Sequence, residues 1–259
     1  MIGKKRRIRR IMKDGKAFVV PMDHGMTKPE RGLEKIDRML MLLDGIADAF
    51  VLHKGMVKHS KYVEEMESGL IIHLSASTYL SRDPLSKKVI TSVEKAIELG
   101  ADGVSVHINV GSDDDVEQIK EASRVAEICD DYGMPLLVMS YPRGSGVNEF
   151  GVEEIKLAVR VANELGADIV KTNYTGNPET FREVVEFSEI PILVAGGIKR
   201  PDFLNVVEEV MRAGASGIAA GRNIFQSDDP KSLGLKIQKI IHGVEYEGNM
   251  VNRQWRELG

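Results

Sequence analysis

One five-residue string restricts this chain more than any other feature. Glu98-Leu99-Gly100-Ala101-Asp102 returns unchanged as Glu164-Leu165-Gly166-Ala167-Asp168. Arg212-Ala213-Gly214-Ala215-Ser216 and Asp44-Gly45-Ile46-Ala47-Asp48 are looser copies. In each, the glycine suits the left-handed residue that closes a helix, and an apolar run follows as a new strand. Two further joins pass through proline: Tyr132-Gly133-Met134-Pro135 into Leu136, and Ser188-Glu189-Ile190-Pro191 into Ile192. A chain that repeatedly ends a helix and begins a strand builds a parallel sheet with helices on its faces.

Counting the apolar runs gives eight strands, at 17–22, 49–53, 70–74, 103–108, 136–140, 168–172, 192–195 and 217–220. Helical spacing separates most of them; between the first two it runs from Arg31 to Leu43 through Leu33, Ile36, Met39, Leu40 and Leu43. Eight βα units in 259 residues predict an α/β fold, a single-domain (β/α)8 TIM barrel over residues 1–259. A doubly wound sheet is the alternative, but no Gly-x-Gly-x-x-Gly follows the first strand. The tail from about residue 244, with Trp255, is expected to pack on the barrel or on a neighbouring subunit.

The remaining composition narrows the setting. A formal charge of −4 calls for no polyanionic partner, and no apolar run is long enough for a membrane span. The single cysteine, Cys129, excludes an internal disulfide and fits a reducing cytoplasm. Its helical, apolar neighbours make it a packing residue. No signal-peptide core follows the first residues. These are strongly basic: Lys4, Lys5, Arg6, Arg7, Arg9, Arg10 and Lys13. They read either as a nucleic-acid arm or as the solvated face of a helix over about 1–14 whose Ile8, Ile11 and Met12 turn inward. No aromatic residue interleaves the charges, which favours the helix.

In a barrel of this kind the C-terminal strand ends build the site. Strand one ends in Asp23 and His24, strand two in His53 and Lys54, and strand three in His73 and Ser75. Strand four carries Ser105, His107 and Asn109 on one face. Strand five ends in Met139-Ser140-Tyr141-Pro142-Arg143-Gly144, and strand six in Lys171. Alternation puts Lys171 on the face of Ile169 and away from Val170. It is either a solvated strand-end cation or, in a dry mouth, an amine able to attack a ketone. Asp23, Tyr141 and Lys171 can converge on one substrate carbon. Strand seven ends in Gly196 and Gly197, and strand eight in Gly221 and Arg222. Either these glycines only make tight turns, or their N–H groups cradle a phosphate with the arginine beside it. His53, His73 and His107 raise a metal site as a rival, but they stand on separate strands without a local ligand pair.

Several of these segments resemble one known family. Val19-Val20-Pro21-Met22-Asp23-His24-Gly25, Ser140-Tyr141-Pro142-Arg143-Gly144, Asp168-Ile169-Val170-Lys171-Thr172-Asn173-Tyr174-Thr175-Gly176, Ala195-Gly196-Gly197 and Gly221-Arg222-Asn223-Ile224-Phe225-Gln226 are similar to the archaeal-type class I aldolases, in order, from about residue 10 to 243. The resemblance implies that Lys171 forms an iminium with Asp23 as proton acceptor and Tyr141 as proton donor. It also implies that His24, Gly25, Met26, Thr27, Pro142, Arg143, Gly196, Gly197, Gly221 and Arg222 bind substrate, with no cofactor and no metal. Two branches of the family are in play. Met139 stands where fructose-bisphosphate aldolases of this type usually have tryptophan. Val106-His107-Ile108-Asn109-Val110-Gly111-Ser112-Asp113 resembles a synthase branch, and the aldolase branch has a tyrosine-proline pair there. Ser75-Ala76-Ser77-Thr78-Tyr79 departs from the glycine-rich stretch of some synthases.

The synthase branch implies a transaldol reaction between a sugar phosphate, 6-deoxy-5-ketofructose 1-phosphate, and L-aspartate semialdehyde. Its product is a seven-carbon amino acid on an alternative route to 3-dehydroquinate and the aromatic amino acids. A fructose-bisphosphate aldolase is the alternative, and a non-catalytic sugar-phosphate binding protein the remoter one. No nucleic acid or membrane is implied as a partner; a ring-based homo-oligomer, a decamer, is.

Overall fold

The computed structural model describes residues 1–243; the expected packing of the tail with Trp255 lies outside them. Eight parallel strands close a barrel: β1 (Ala17–Pro21), β2 (Ala49–Leu52), β3 (Gly69–His73), β4 (Gly103–Val110), β5 (Leu136–Pro142), β6 (Ile169–Thr172), β7 (Ile192–Ala195) and β8 (Gly217–Ala219). Each strand pairs with the next, and β8 pairs with β1 through Ala17↔Gly217 and Val19↔Ala219. All eight coincide with runs read from the sequence. The glycines of the repeated join, Gly45, Gly100, Gly166 and Gly214, take φ of 76°, 78°, 84° and 98°, the left-handed conformation that ends a helix.

Alternation divides the apolar residues between two cores. Val19, Val51, Ile71, Leu137, Met139, Tyr141, Ile169 and Leu193 fill the barrel interior. Val20, Leu52, Ile72, Val138, Val170 and Val194 face the surrounding helices. Cys129 lies buried on the helix Asp115–Tyr132, and burial pushes its thiol up to about 12, so it packs as an inert residue.

The repeated aspartates explain the bottom of the barrel. Near the start of a strand an N–H that the ladder leaves unpaired takes an aspartate from the neighbouring join instead. Asp48 accepts from Phe18 N (2.7 Å), Asp102 from Leu70 N (3.0 Å) and Asp168 from Leu136 N (2.9 Å). The N-terminal helix, Ile2–Ile11, lies across this ring. Lys4 pairs with Asp168 at 3.0 Å, Arg10 with Asp102 at 2.7 Å and Lys13 with Asp48 at 3.2 Å. Arg7 donates to the carbonyls of Tyr132 and Gly133.

The solvated-face reading therefore holds for Lys5, Arg6 and Arg9 but not for these four, which are committed to the barrel. Arg10 and Lys13 are more than half exposed, and ion pairs of that kind contribute about 0–1 kcal/mol each. Ile11 and Met12, buried in the barrel interior, contribute about 1.5–3 kcal/mol apiece and dominate the docking. Ile8 is only half-buried.

Two local expectations need correction. The helix read over Arg31–Leu43 spans only Ile36–Leu43, because a turn at Arg31–Gly32 precedes it; Leu33 still packs on the outer core, which is why it matched the helical spacing. After β3 the chain makes a short antiparallel ladder, Ser75–Ala76 with Lys88–Val89, too brief to leave a sequence pattern.

Candidate active site

Lys171 sits one residue from the end of β6, in register with Met139 on one side and Leu193 on the other. The residue is only 7% exposed. The solvated-cation reading fails on this burial. Tyr141 lies on the adjacent strand, two residues beyond the partner of Lys171 and on the same inward face. Its ring packs between the His107 ring, 5.0 Å between centroids, and the Arg143 guanidinium, 4.6 Å from the ring centre.

Asp23 follows β1 and opens a one-turn helix, His24–Thr27. Its Oδ2 lies 3.9 Å from His73 Nε2 and its Oδ1 3.8 Å from His24 Nδ1. Burial alone would raise its pKa, but the opposing charges of His73, His24, Lys171 and His53 outweigh that and hold the carboxyl below the usual carboxylate range. Burial pushes His73 down to about 4, with Asp23 pulling the other way. Burial likewise lowers His24, His53 and His107. At neutral pH the mouth thus holds an ionised Asp23 among neutral imidazoles. His73 Nδ1 lies 2.8 Å from Ser105 Oγ. An ionised Asp23 favours the tautomer in which Ser105 donates to Nδ1 and Nε2–H faces the carboxylate.

The structure therefore gathers Asp23, Tyr141 and Lys171 at one barrel mouth, and Lys171 is close enough for its charge to act on Asp23. The other predicted residues divide by depth. Pro142 is buried at the end of β5, and Arg143 beyond it bonds Glu149 through Nε at 3.2 Å. His24 is half-buried, its ring edge-on to Phe225 at 5.4 Å. Gly25, Met26 and Thr27 form the exposed rim, and the Thr27 carbonyl accepts from Tyr79 N in the loop after β3.

The loops after β7 and β8 meet through one side chain. Asn223 donates from Nδ2 to the carbonyls of Gly196 (2.7 Å) and Ile198 (3.1 Å) and accepts from Arg200 N at Oδ1 (2.9 Å). Gly197 is left-handed at φ 66°. A Cβ on Gly221 would run into the His24 ring, the Pro21 carbonyl and the Phe225 ring, so only glycine lets this loop lie against β1. Arg222 is half-buried, and its Nε has no hydrogen-bond partner among the described residues; the same is true of Asp23 Oδ1, His24 Nδ1 and His53 Nδ1.

The three histidines raised as metal ligands have other engagements. His73 bonds Ser105, His107 Nε2 lies 2.9 Å from Asn109 Oδ1, and the His53 ring lies edge-on to His73. Among the described residues no three His, Cys, Asp or Glu side chains gather in a way that would hold an ion. Two residues at the mouth had no role in the sequence reading. Asn223 stood inside a motif with nothing to mark its side chain as a strut. Lys87 lay in a polar stretch, and only the short ladder after β3 reveals that it is buried.

A family model described as DeoC/LacD family aldolase matches residues 17–227. A 2-amino-3,7-dideoxy-D-threo-hept-6-ulosonate synthase of Archaeoglobus fulgidus is 50% identical over 260 residues, covering 97% of this chain and 98% of that protein. A 2-amino-4,5-dihydroxy-6-oxo-7-(phosphonooxy)heptanoate synthase of Streptomyces griseus is 40% identical over 233 residues, 87% of this chain and 84% of that one. Among solved structures, an archaeal fructose-1,6-bisphosphate aldolase with its catalytic lysine bound to a carbinolamine intermediate superposes with a TM-score of 0.85 at 32% identity, covering 92% of this chain and 99% of that one.

Proposed function

The chain belongs to the DeoC/LacD family of aldolases, is an enzyme of the class I, Schiff-base type acting on small molecules, and on that premise we propose that Lys171 forms the iminium, with Asp23 as proton acceptor and Tyr141 as proton donor. The observation that carries the proposal is the buried amine of Lys171, flanked by Tyr141 on the next strand and acting through space on an ionised Asp23. The iminium is an electron sink. When the bond two carbons away breaks, its electrons become the π bond of a neutral enamine instead of a free carbanion. The hydroxyl on the departing carbon gives up its proton to Asp23 as its carbon becomes an aldehyde. The enamine then attacks an incoming aldehyde, whose oxygen takes a proton from Tyr141. Positioned proton transfer of this kind contributes roughly 10²–10⁴-fold in rate.

The substrates follow from the likeness to the synthases. Both relatives are named for seven-carbon 2-amino acids that differ at the far end, deoxygenated in one and phosphorylated in the other. What they share is the amino-acid end, which the entering aldehyde brings. The donor here is 6-deoxy-5-ketofructose 1-phosphate and the acceptor L-aspartate semialdehyde. Hydroxypyruvaldehyde phosphate leaves, and 2-amino-3,7-dideoxy-D-threo-hept-6-ulosonate is the product. Gly196, Gly197, Gly221 and Arg222 hold the donor's phosphate, and His24 with the Gly25–Thr27 rim closes over it. We further propose a cytoplasmic, ring-based homo-oligomer. Among the described residues no helix is long and apolar enough to cross a membrane.

The test is product analysis with aspartate semialdehyde and glyceraldehyde 3-phosphate offered as rival acceptors, each with its proper donor. The seven-carbon amino acid is the expected product. Preferential formation of fructose bisphosphate would move the chain to the aldolase branch.

A further inference from the structure

We propose that Ser105 and His73 are positioning residues for Asp23: the Ser105 hydroxyl fixes the His73 ring so that its Nε2–H faces the Asp23 carboxylate. The assignment rests on the reading of Asp23 as proton acceptor. The groups lie across neighbouring strands at the mouth. His73 ends β3 and is the direct ladder partner of Ser105 on β4. Asp23 follows β1, and His53 follows the intervening β2. Ser105 is fully buried and His73 nearly so.

The Ser105 hydroxyl and His73 Nδ1 are 2.8 Å apart, so one of them donates to the other. Among the described residues Ser105 Oγ has no second partner. Were Nδ1 to donate, the hydroxyl hydrogen would be buried without an acceptor. The bare Nε2 would also turn its lone pair on an ionised carboxylate. Both faults vanish when Ser105 donates. The other ring nitrogen then carries the hydrogen. The His53 ring, edge-on to His73 at 5.3 Å, hinders the imidazole from turning away.

Nε2 is 3.9 Å from Asp23 Oδ2, too far to occupy a lone pair, and Asp23 Oδ1 has no hydrogen-bond partner among the described residues. The carboxylate thus feels the positive end of an N–H without being taken up by it. A proton acceptor needs this combination: the ionised form is favoured, and the oxygens stay open to a substrate hydroxyl. His24, His53, His107, Lys87 and Lys171 also lie within range of the pair. Their fields act on either tautomer, whereas the bond at Nδ1 selects one.

The experiment measures kcat and kcat/KM across pH, together with the donor concentration that gives half-maximal borohydride trapping on Lys171. Ser105→Ala should lower kcat about tenfold or more, the loss expected when a buried acceptor is left unpaired. The donor's half-trapping concentration should hardly move. The acid limb of kcat/KM should rise by about one pH unit, because a bare Nε2 no longer favours the ionised Asp23. Ser105→Thr keeps the hydroxyl and should recover most of the loss. In an Asp23→Asn background, Ser105→Ala should cost nothing further, since a residue acting through Asp23 is not additive with it. NMR of the labelled His73 ring, assigned by its loss in His73→Gln, should show a bare Nδ1 and a protonated Nε2 in the unaltered enzyme. A hydrogen on Nδ1 there, or the same loss from Ser105→Ala in both backgrounds, overturns the relay. So does a slow Asp23→Asn enzyme beside a Ser105→Ala enzyme of normal rate and pH profile, which leaves Asp23 as proton acceptor. Near-normal turnover of Asp23→Asn removes the proton-acceptor reading itself, and the positioning role with it.

Discussion

Lys171 and Tyr141 were legible in the sequence because both end apolar strands whose alternation fixes the face they point to. Lys87 was not, because its burial depends on a loop that doubles back over the mouth. The difference can be measured. Borohydride with the keto-sugar phosphate should trap an adduct on Lys171 alone, read by peptide mass; an adduct on Lys54, Lys87 or Lys199 would displace it from the chemistry. Tyr141→Phe should still be trapped yet turn over roughly 10²–10⁴-fold more slowly, because the ring stays and the proton donor goes. Near-normal turnover would reduce Tyr141 to a wall of the pocket. His73 titrates at about 4 when folded and at its ordinary 6.5 when unfolded. Between those values the unfolded chain binds a proton that the folded chain does not, so stability should fall as pH drops from 6.5 toward 4 and be indifferent to this group above that window. His73→Gln should flatten part of the fall in urea melts at several pH values, with His24, His53 and His107 supplying the rest. An unchanged slope would mean that His73 is not held neutral.

At the scale of elements, what could be read was whatever repeats. The strands stood out because a glycine-closed helix precedes so many of them, and the glycines proved left-handed as that join requires. The helix before β2 was overextended because Leu33 reaches the same core from a turn. The pairing of the loops after β7 and β8 was half-legible: the glycines and Arg222 marked them, while the bonds from Asn223 across to Gly196 and Ile198 needed three-dimensional proximity. Arg222→Ala should weaken the phosphorylated donor by roughly 1.5–3 kcal/mol, the worth of hydrogen bonds to a charged group. Aspartate semialdehyde should be affected much less. Equal loss of both, in KM measurements for each substrate, would show that Arg222 shapes the barrel mouth instead.

Across the whole molecule, the proposed site occupies one end of the barrel and the N-terminal helix the other. Ile11→Ala should therefore lower stability by about 2–5 kcal/mol in denaturant unfolding, as large-to-small core substitutions do, while leaving the donor's half-trapping concentration near normal. A selective loss of donor affinity without loss of stability would contradict this division. The helix also carries a consequence for synthesis. The partners of Lys4, Arg10 and Lys13 are Asp168, Asp102 and Asp48, spread along the chain, so this segment emerges before all three and reaches its last anchor only after Asp168 has emerged. At about 5–20 residues per second it waits roughly 8–30 seconds with Ile11 and Met12 uncovered. Ribosome-arrested chains ending shortly before Asp168 should be cut by trypsin within Lys4–Lys13, and chains carrying β6 and β7 beyond the exit tunnel should resist. Birth order and settling order run in opposite directions at this end of the barrel.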